Sequence, residues 1–153
     1  MFKRILVPVD GSRTSWLGLD KAIRLAREQR ATLCLLHVVD ERVTTQYFEG
    51  GAAAIDRLLD SLLEGGKRVL ARAEAKARKQ RVRVKTVLVE NVIRSVADVI
   101  VGQARKWRAD LIVIGTHGRR GVSRLVMGSD AEGVVRTTPV PVLLVRSKAG
   151  RQR

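Results

Sequence analysis

The sequence predicts one α/β domain, an open and doubly wound five-stranded parallel sheet with helices on both faces. Five short apolar segments alternate with segments of helical periodicity along the 153 residues, and such alternation is typical of a parallel sheet. The first apolar segment, residues 5–9, is nearly continuous, as expected for a strand that is covered on both faces. With the two halves of the chain wound outward, we expect the strand order 3-2-1-4-5.

The first third of the chain is predicted to form two strands and one helix. Strand one covers residues 2–9. The helix begins after Ser12, a good N-cap residue, and continues to about Gln29. Strand two covers residues 31–39, and residues 40–53 have the irregular composition of a mobile loop.

The middle of the chain is predicted to form a long amphipathic helix and an edge strand. Apolar residues recur at helical spacing between Ile55 and Ala77. Gly65 and Gly66 interrupt this pattern and together cost about 2 kcal/mol of helix propensity, so we expect a kink or a break there. Residues 82–89 alternate between apolar and polar, which predicts a strand at the sheet edge.

The last third of the chain is predicted to contain two helices and two strands. A capping box at Ser95 starts one helix, and strands follow at residues 110–115 and 140–145. The domain therefore covers residues 1–147, and we expect residues 148–153 to form a basic, disordered tail. The sequence shows no internal repeats.

Composition narrows the possible functions. The net charge of +15 favours anionic ligands, nucleic acid or acidic partners. The basic residues are nevertheless spread over every predicted helix, and five aromatic residues offer few platforms for base stacking. A solvated basic surface is thus the favoured interpretation. No apolar run approaches the ~20 residues of a transmembrane helix and the N-terminus does not resemble a signal peptide, so we expect a cytoplasmic protein.

The single cysteine and the two histidines give little sign of catalysis. Cys34 lies in an apolar strand, and we interpret it as a small core residue, because one cysteine forms neither an internal disulfide nor a thiolate metal site. His37 lies in the same strand and is also predicted to be a core residue. No pattern indicates a catalytic triad, a carboxylate pair or a zinc centre.

The sheet topology brings two loops together. Strands one and four lie side by side where the winding reverses, and ligands of open α/β sheets bind beyond the carboxyl ends of such strands. Residues 8–10 follow strand one and residues 115–118 follow strand four. We therefore expect Asp10 to face the glycine-rich loop across one crevice.

The loop after strand four has the composition of a phosphate-binding loop. Gly115 and Gly118 permit close approach of the backbone, and Gly128 precedes a helix whose N-terminus favours an anion. Ser129 opens a second capping box, so its hydroxyl could cap the helix, hold a phosphate oxygen or do both. Three arginines in the loop can add charge-assisted bonds to phosphates; they are Arg119, Arg120 and Arg124. The spacing matches neither a Walker A loop nor a Rossmann fingerprint.

The spacing Gly-x2-Gly-x9-Gly-Ser and its flanks resemble a known family. The motif is formed by Gly115, Gly118, Gly128 and Ser129. Four flanking segments match as well: residues 5–10, 35–38, 110–113 and 139–145. Over nearly its whole length the chain resembles the universal stress protein family in the form that carries a nucleotide-binding motif.

The resemblance implies an adenine-nucleotide site and assigns its residues by position. Pro8 and Val9 would border the base pocket, Val38 would contact adenine through its backbone, and Asp10 would meet the ribose and phosphates. The remaining contacts would be made by residues around the glycine loop, namely Ile114, Gly115, His117, Gly118 and Arg119, and, at the terminal phosphates, Gly128, Ser129 and the backbone of Asp130.

The resemblance further implies a stress-response sensor or regulator that binds ATP and hydrolyses it slowly at most. It also implies a homodimer that pairs through the strand at residues 140–145. Asp130 departs from the family pattern, because a small apolar residue is expected after Gly-Ser. Its carboxylate could repel a triphosphate or hold a metal ion such as Mg²⁺ that bridges to one, which leaves ATP, ADP and AMP open.

Two other interpretations stay open from the sequence. The chain could be an ATPase or a nucleotidyl-transferring enzyme on the same fold, although its first loop, residues 9–12, lacks the motifs of adenylating relatives. It could also be a basic module for nucleic acid or acidic partners with a vestigial nucleotide pocket, which the charge of +15 alone supports.

Overall fold

The strand order of the sheet is the predicted one. The computed structural model describes residues 1–42, 50–91, 93–117 and 127–147, and within them all strand pairs are parallel and ordered β3-β2-β1-β4-β5. The strands are β1 (Arg4–Pro8), β2 (Thr32–Asp40), β3 (Arg83–Asn91), β4 (Leu111–Gly115) and β5 (Val142–Val145). The helices are α1 (Arg13–Gln29), α2 (Ala52–Lys79), α3 (Val96–Trp107) and α4 (Ser129–Thr137).

The central strand β1 divides the core into two halves. Side chains of a strand point alternately to opposite faces, and Ile5 and Val7 pack in one cluster with residues of α1 and α2. Leu6 belongs to the other cluster, which includes residues of α3 and α4. All three side chains are fully buried, so the continuous apolar segment is explained by helices on both sides of the sheet.

The edge strands differ from the centre in their exposure. The predicted edge position of β3 is confirmed, and four of its nine residues are exposed. β5 forms the opposite edge, where Leu143 and Leu144 are 41% and 37% exposed. Apolar side chains on an open edge are a surface to which another strand can pair.

The long helix α2 continues through its two glycines, so, of the kink or break expected at that point, the break does not occur. Gly66 is buried, and a Cβ added to it would lie 2.6 Å from Cδ2 of His37 and 2.9 Å from Cδ1 of Leu88. A Cβ on Gly65 would have only the end of the Arg68 side chain, 3.9 Å away, in its neighbourhood. The helix thus needs glycine at position 66, where it lies closely against β2 and β3.

Two of the three predicted serine caps are confirmed. Ser12 and Ser95 are the N-cap residues of α1 and α3, and their hydroxyls accept hydrogen bonds from the backbone N–H of Ser15 and Asp98. Of the roles left open for Ser129, capping is not observed, because Gly128 is the N-cap of α4 and makes no side-chain cap hydrogen bond. Ser129 is the first helical residue, and its hydroxyl is not used to cap α4.

Cys34 is a core residue, as predicted. Its side chain is fully buried in β2, and burial raises the pKa of its thiol to about 11, partly offset by the nearby charge of Lys85. The thiol is therefore protonated at neutral pH and has the low reactivity of a buried cysteine.

Parts of three predicted features lie outside the described residues. They are residues 43–49 of the predicted loop, residues 118–126 of the glycine loop, which include Gly118, Arg119, Arg120 and Arg124, and the predicted tail at 148–153. Within the ranges that are described, no helix is long and apolar enough to cross a membrane.

Candidate functional site

The predicted crevice between β1 and β4 has the expected topology. These strands pair directly, with Ile5 opposite Leu111 and Leu6 opposite Ile112. Their carboxyl ends are therefore adjacent. The segment after β1 leads into α1, and the segment after β4 leads to α4. Asp10 lies two residues after the end of β1, and Gly115 is the last residue of β4. These are the residues that were expected to face one another.

The first loop is fixed to β2 through both backbone polar groups of one residue, Val9. The N–H of Val9 donates to the carbonyl of Leu36 at 2.8 Å, and the carbonyl of Val9 lies 2.7 Å from Nδ1 of His37. A carbonyl oxygen only accepts, so Nδ1 of His37 must carry the proton. His37 is buried, as predicted, and it holds the chain in place immediately before Asp10.

Asp10 forms the turn that leads into α1. Its Oδ1 accepts a hydrogen bond from the N–H of Ser12 at 2.8 Å, and Gly11 between them has φ of 84°, a left-handed value that favours glycine. The half-buried carboxylate thus lies beside the N-terminus of α1, where the helix dipole stabilises negative charge.

The start of α1 contacts the end of β4 so closely that residue 115 must be glycine. A Cβ on Gly115 would lie 2.8 Å from both the carbonyl carbon and the carbonyl oxygen of Thr14. The hydroxyl of Thr14 also donates a hydrogen bond to the carbonyl of His117. These contacts join the two loops of the crevice, and they give Thr14 a role that no local sequence pattern indicated.

The two ends of the glycine loop are joined at Thr116. Its carbonyl accepts a hydrogen bond from the N–H of Gly128 at 2.7 Å, and its N–H donates to the carbonyl of Val145 at 2.9 Å. Thr116 is 4% exposed. The N-terminus of α4 is therefore held beside the end of β4, which places Gly115 and Gly128 of the motif in one neighbourhood.

His117 has a buried nitrogen that lacks a partner in the described part of the chain. Its Nδ1 lies 3.0 Å from the hydroxyl of Thr116, whereas Nε2 has no hydrogen-bond partner there. A buried polar atom without a partner costs roughly 1–3 kcal/mol, and such atoms are rare in folded proteins. Nε2 of His117 is therefore a strong candidate for contact with a ligand.

The N-terminus of α4 adds backbone donors to the same region. The first intrahelical hydrogen bond runs from the N–H of Glu132 to the carbonyl of Gly128 at 2.9 Å. The N–H groups of the first helical residues, beginning with Ser129, thus have no acceptor within the helix. Together with the helix dipole, these donors form a site suited to an anion, and the exposed Asp130 lies directly at it.

The backbone of Val38 is directed toward the crevice. The carbonyl of Leu36 accepts from Val9 and so points toward β1. Backbone groups two residues apart in a strand point the same way, which directs those of Val38 to the same side. Because β1 ends at Pro8, opposite Leu36, these groups extend beyond the end of the neighbouring strand.

A separate depression of about 410 Å³ lies along α4 and opens broadly to solvent. It shares only Ser129 with the crevice, and two of its other side chains, Glu132 and Arg136, form an ion pair at 3.4 Å. We place the candidate site in the crevice instead, because the helix N-terminus and Nε2 of His117 lie there.

The structure thus gathers most of the predicted residues at one edge of the sheet. Those in the described ranges are Pro8, Val9, Asp10, Val38, Ile114, Gly115, His117, Gly128, Ser129 and Asp130, while Gly118 and Arg119 lie outside those ranges. Thr116 was missed although it lies inside the motif. Across the described residues, no group of three His, Cys, Asp or Glu side chains could hold a metal ion by itself.

Comparisons with known proteins agree with this architecture. The family model of the universal stress protein family matches residues 1–146. Universal stress protein YxiE of Bacillus subtilis is 33% identical, and the match covers 95% of this chain and all of that protein. A crystal structure of a universal stress protein family member from Burkholderia pseudomallei is 35% identical, with a TM-score of 0.77 and coverage of 95% and 96%.

A third protein is similar in fold alone. The universal stress protein from Archaeoglobus fulgidus, solved in complex with dAMP, has a TM-score of 0.68 at 23% identity, with 94% of this chain and 97% of that chain covered. The family match and the relatives above 30% identity extend over nearly the whole sequence. The chain belongs to the universal stress protein family.

Proposed function

We propose that the chain is a cytoplasmic stress-response sensor or regulator that binds ATP in the crevice between β1 and β4. The observation that carries the proposal is the position of α4. The hydrogen bond from Gly128 to Thr116 holds the helix N-terminus at the end of β4, next to the unpartnered Nε2 of His117. Backbone donors, a positive helix end and an imidazole nitrogen thus lie where a phosphate group would bind.

The remaining residues divide between the base, the ribose and the phosphates. Pro8, Val9 and the backbone of Val38 would contact the adenine, and Asp10 would meet the ribose and the nearest phosphate. The ribose and phosphates would be lined by Ile114, Gly115, His117 and Gly118, and Arg119 could add a charge-assisted bond to a phosphate. The terminal phosphates would be held by Gly128, Ser129 and the backbone of Asp130. The dAMP complex of the Archaeoglobus fulgidus protein, which has this fold, agrees with the assignment of an adenine nucleotide.

Mg²⁺ would enter this site together with the nucleotide. The ion prefers one or two carboxylates combined with phosphate oxygens, and Asp10 and Asp130 are the carboxylates nearest to the proposed phosphate positions. Hydrolysis would be slow at most, because the sequence offers no obvious base that activates water. Oδ1 of Asp10 accepts from the N–H of Ser12, and Nε2 of His117 would contact a phosphate instead.

A titration with a fluorescent ATP analogue in the presence of Mg²⁺ tests the proposal. Ser129→Ala removes a hydroxyl that does not cap α4, so a weaker affinity of this variant would report a lost ligand contact. A hydrogen bond to a charged group contributes about 1.5–3 kcal/mol, and we expect the Kd to rise at least tenfold. Thr137→Ala removes the hydroxyl at the other end of α4, which donates to Gly133, and should leave the Kd unchanged.

The proposal fails if the wild-type protein shows no saturable binding at millimolar nucleotide. Equal effects of Ser129→Ala and Thr137→Ala would instead remove Ser129 from the site. Mass spectrometry of small molecules that copurify with the protein identifies which adenine nucleotide is bound, and an ATPase assay that yields well over one turnover per minute would favour an enzyme.

We further propose that the protein forms a homodimer through β5. Among the strands that the structure describes, β5 pairs with β4 alone, and Leu143 and Leu144 are substantially exposed on it, so pairing with a second copy would cover both side chains and the open edge. Leu144→Lys should convert the dimer to a monomer in light scattering, whereas Lys85→Glu on the opposite edge strand β3 should not. A wild-type protein that is monomeric at 100 μM would contradict the proposal.

A further inference from the structure

Three helices of the protein end in short sequences that share one pattern. Residues 26–31 read Ala-Arg-Glu-Gln-Arg-Ala, residues 77–82 read Ala-Arg-Lys-Gln-Arg-Val, and residues 104–109 read Ala-Arg-Lys-Trp-Arg-Ala. The common pattern is Ala-Arg-x-x-Arg followed by Ala or Val. The similarity extends over six residues, which is shorter than the structural units of repeat proteins.

The three segments also share one backbone geometry. In each, the N–H of the sixth residue donates to the carbonyl of the first and the fifth residue is left-handed, which is the Schellman arrangement of a helix C-terminus. The hydrogen bonds are Ala31 to Ala26 at 2.9 Å, Val82 to Ala77 at 3.2 Å and Ala109 to Ala104 at 2.8 Å. The φ values of the fifth residues are 54° at Arg30, 59° at Arg81 and 55° at Arg108.

Packing explains the first and sixth residues but not the fifth. The alanines that begin the segments are buried, and so are the residues that end them. The left-handed position usually holds glycine, because a Cβ there is strained. Arginine occupies it three times, with exposed side chains. Within the described chain, the side chains of Arg30, Arg81 and Arg108 make no hydrogen bond or ion pair.

The sheet places the three segments in one row. They lead into β2, β3 and β4, and residues 1–4 lead into β1 between them. With neighbouring strands about 4.8 Å apart, the row is about 14 Å long. We call this surface the arginine edge; it comprises residues 1–4, 26–31, 77–83 and 104–110.

The arginine edge concentrates positive charge. It contains eleven of the 30 lysine and arginine residues but two of the 15 acidic ones, Glu28 and Asp110. The carboxylate of Asp110 accepts hydrogen bonds from the N–H groups of Lys3 and Arg4 at 2.8 and 3.0 Å. Basic residues occur in every helix, as expected, but the fold brings eleven of them together at this edge, where the sequence had indicated no patch.

Some of these cations have structural roles. Arg4 donates to the carbonyl of Trp107 at 3.2 Å, and Arg83 donates to that of Arg30 at 2.9 Å. Cations near a helix C-terminus also interact favourably with the dipole, each by about 0.3–1 kcal/mol. A lysine or arginine within the last helical turn would gain the same interaction with the helix dipole without a side chain on a left-handed backbone. The repeated choice of arginine at the left-handed position therefore points to a partner.

We propose that the arginine edge binds the phosphate backbone of a nucleic-acid duplex without sequence preference. Arginine presents planar, bidentate donors that match phosphate, and a row of cations neutralises successive phosphates. Phe2 and Trp107, the aromatic residues of this edge, are half-buried, so stacking on single-stranded bases is disfavoured. Met1 is the only large apolar side chain in this range that is strongly exposed, which disfavours a membrane surface.

The test uses the full-length protein and a fluorescein-labelled 24-base-pair DNA duplex of mixed sequence. The triple variant Arg30→Gly, Arg81→Gly, Arg108→Gly removes three charges and places glycine where the backbone favours it, so the fold is preserved. The matched control Arg24→Gln, Arg57→Gln, Arg68→Gln removes three exposed charges from the middle and opposite end of α1 and α2. Fluorescence anisotropy between 50 and 200 mM salt gives the Kd and its salt dependence.

We expect the triple variant to bind the duplex at least tenfold more weakly than wild type at 100 mM salt, with the control within threefold. The slope of log K against log salt should fall by about 2–3, as expected for three lost phosphate contacts. Equal losses in the two variants would overturn the proposal, because general charge would then suffice. Stronger, variant-sensitive binding to vesicles containing 30% phosphatidylglycerol would also overturn it in favour of a membrane surface.

Discussion

The two ends of the parallel sheet differ in where glycine occurs and in whether their segments share a sequence pattern. At the carboxyl end each loop is individual, and glycine occurs where a backbone must approach another, as Gly115 does at Thr14. At the amino end one six-residue unit occurs three times, and arginine occupies the position that favours glycine. Glycine thus occurs at the carboxyl end where two backbones pack closely, whereas at the amino end arginine with an exposed side chain occupies the left-handed position.

The charges of the two ends differ as well. The arginine edge has eleven basic and two acidic residues. The described residues near the carboxyl ends of the strands include six acidic and three basic ones; these residues are 9–13, 38–42, 90–91, 93–95, 116–117 and 127–132. On the two proposals, the carboxyl end would bind its anion through backbone donors and the helix N-terminus, whereas the amino end would do so through arginine side chains.

The largest expected effect concerns Gly115. Gly115→Ala should lower the free energy of unfolding by about 3 kcal/mol, because its Cβ would overlap backbone atoms of Thr14. In a chain of this length the melting temperature should fall by roughly 6–12 °C, and ATP binding should be lost. The control is Gly18→Ala in α1, whose Cβ would lie an ordinary 3.6 Å from Gly115 and which should stabilise by about 0.5–1 kcal/mol. Equal melting temperatures for the two variants would show that the two loops do not need this contact.

Gly66 and Gly65 form a second matched pair. Gly66→Ala should destabilise the protein by about 1–2 kcal/mol, because its Cβ would displace His37 and Leu88 in the core. Since His37 holds the carbonyl of Val9, we also expect weaker ATP binding. Gly65→Ala meets no such obstacle and should stabilise α2 by about 0.5–1 kcal/mol. Urea denaturation of both variants measures the difference, and the same sign for both would refute close packing at position 66.

These glycines illustrate what the sequence predicted and what it did not. Periodicity predicted the strands and helices, and topology predicted that the segments after β1 and β4 lie side by side, because these signals are local or follow from chain order. The uninterrupted course of α2 depends on the distant residues His37 and Leu88, so local propensity favoured a break that does not occur.

The errors at the site have the same origin. The capping pattern at Ser129 is displaced by one residue, since Gly128 is fixed by its hydrogen bond to Thr116. Thr14 donates to a residue about 100 positions away in sequence, and no pattern near Thr14 predicts this contact. The arginine edge is visible in sequence only once the three segments are known to share one backbone geometry.

A smaller, stabilising effect is expected at the arginine edge. Arg30→Gly, Arg81→Gly and Arg108→Gly should each raise the free energy of unfolding by about 0.5–1 kcal/mol, because glycine relieves the strain of a left-handed backbone. Arg105→Gly, at a helical position of the same segment, should instead lower it by about 1 kcal/mol. Should the three variants prove less stable than wild type, the arginines would be structural residues, and the argument for a partner would lose its support.

The smallest expected effect is that of ATP on duplex binding. β1 spans about 17 Å between the two ends of the sheet, which exceeds the Debye length of about 8–10 Å at physiological salt. Saturating Mg-ATP should therefore change the Kd for the duplex less than twofold. Free nucleotide can also compete with the duplex for the arginine edge, and the Ser129→Ala variant at the same ATP concentration measures that competition. Binding free energies are reciprocal, so the duplex should likewise leave the affinity for ATP unchanged. A change above fivefold in either experiment would show that the sheet couples its two ends, and the other experiment must then give the same factor.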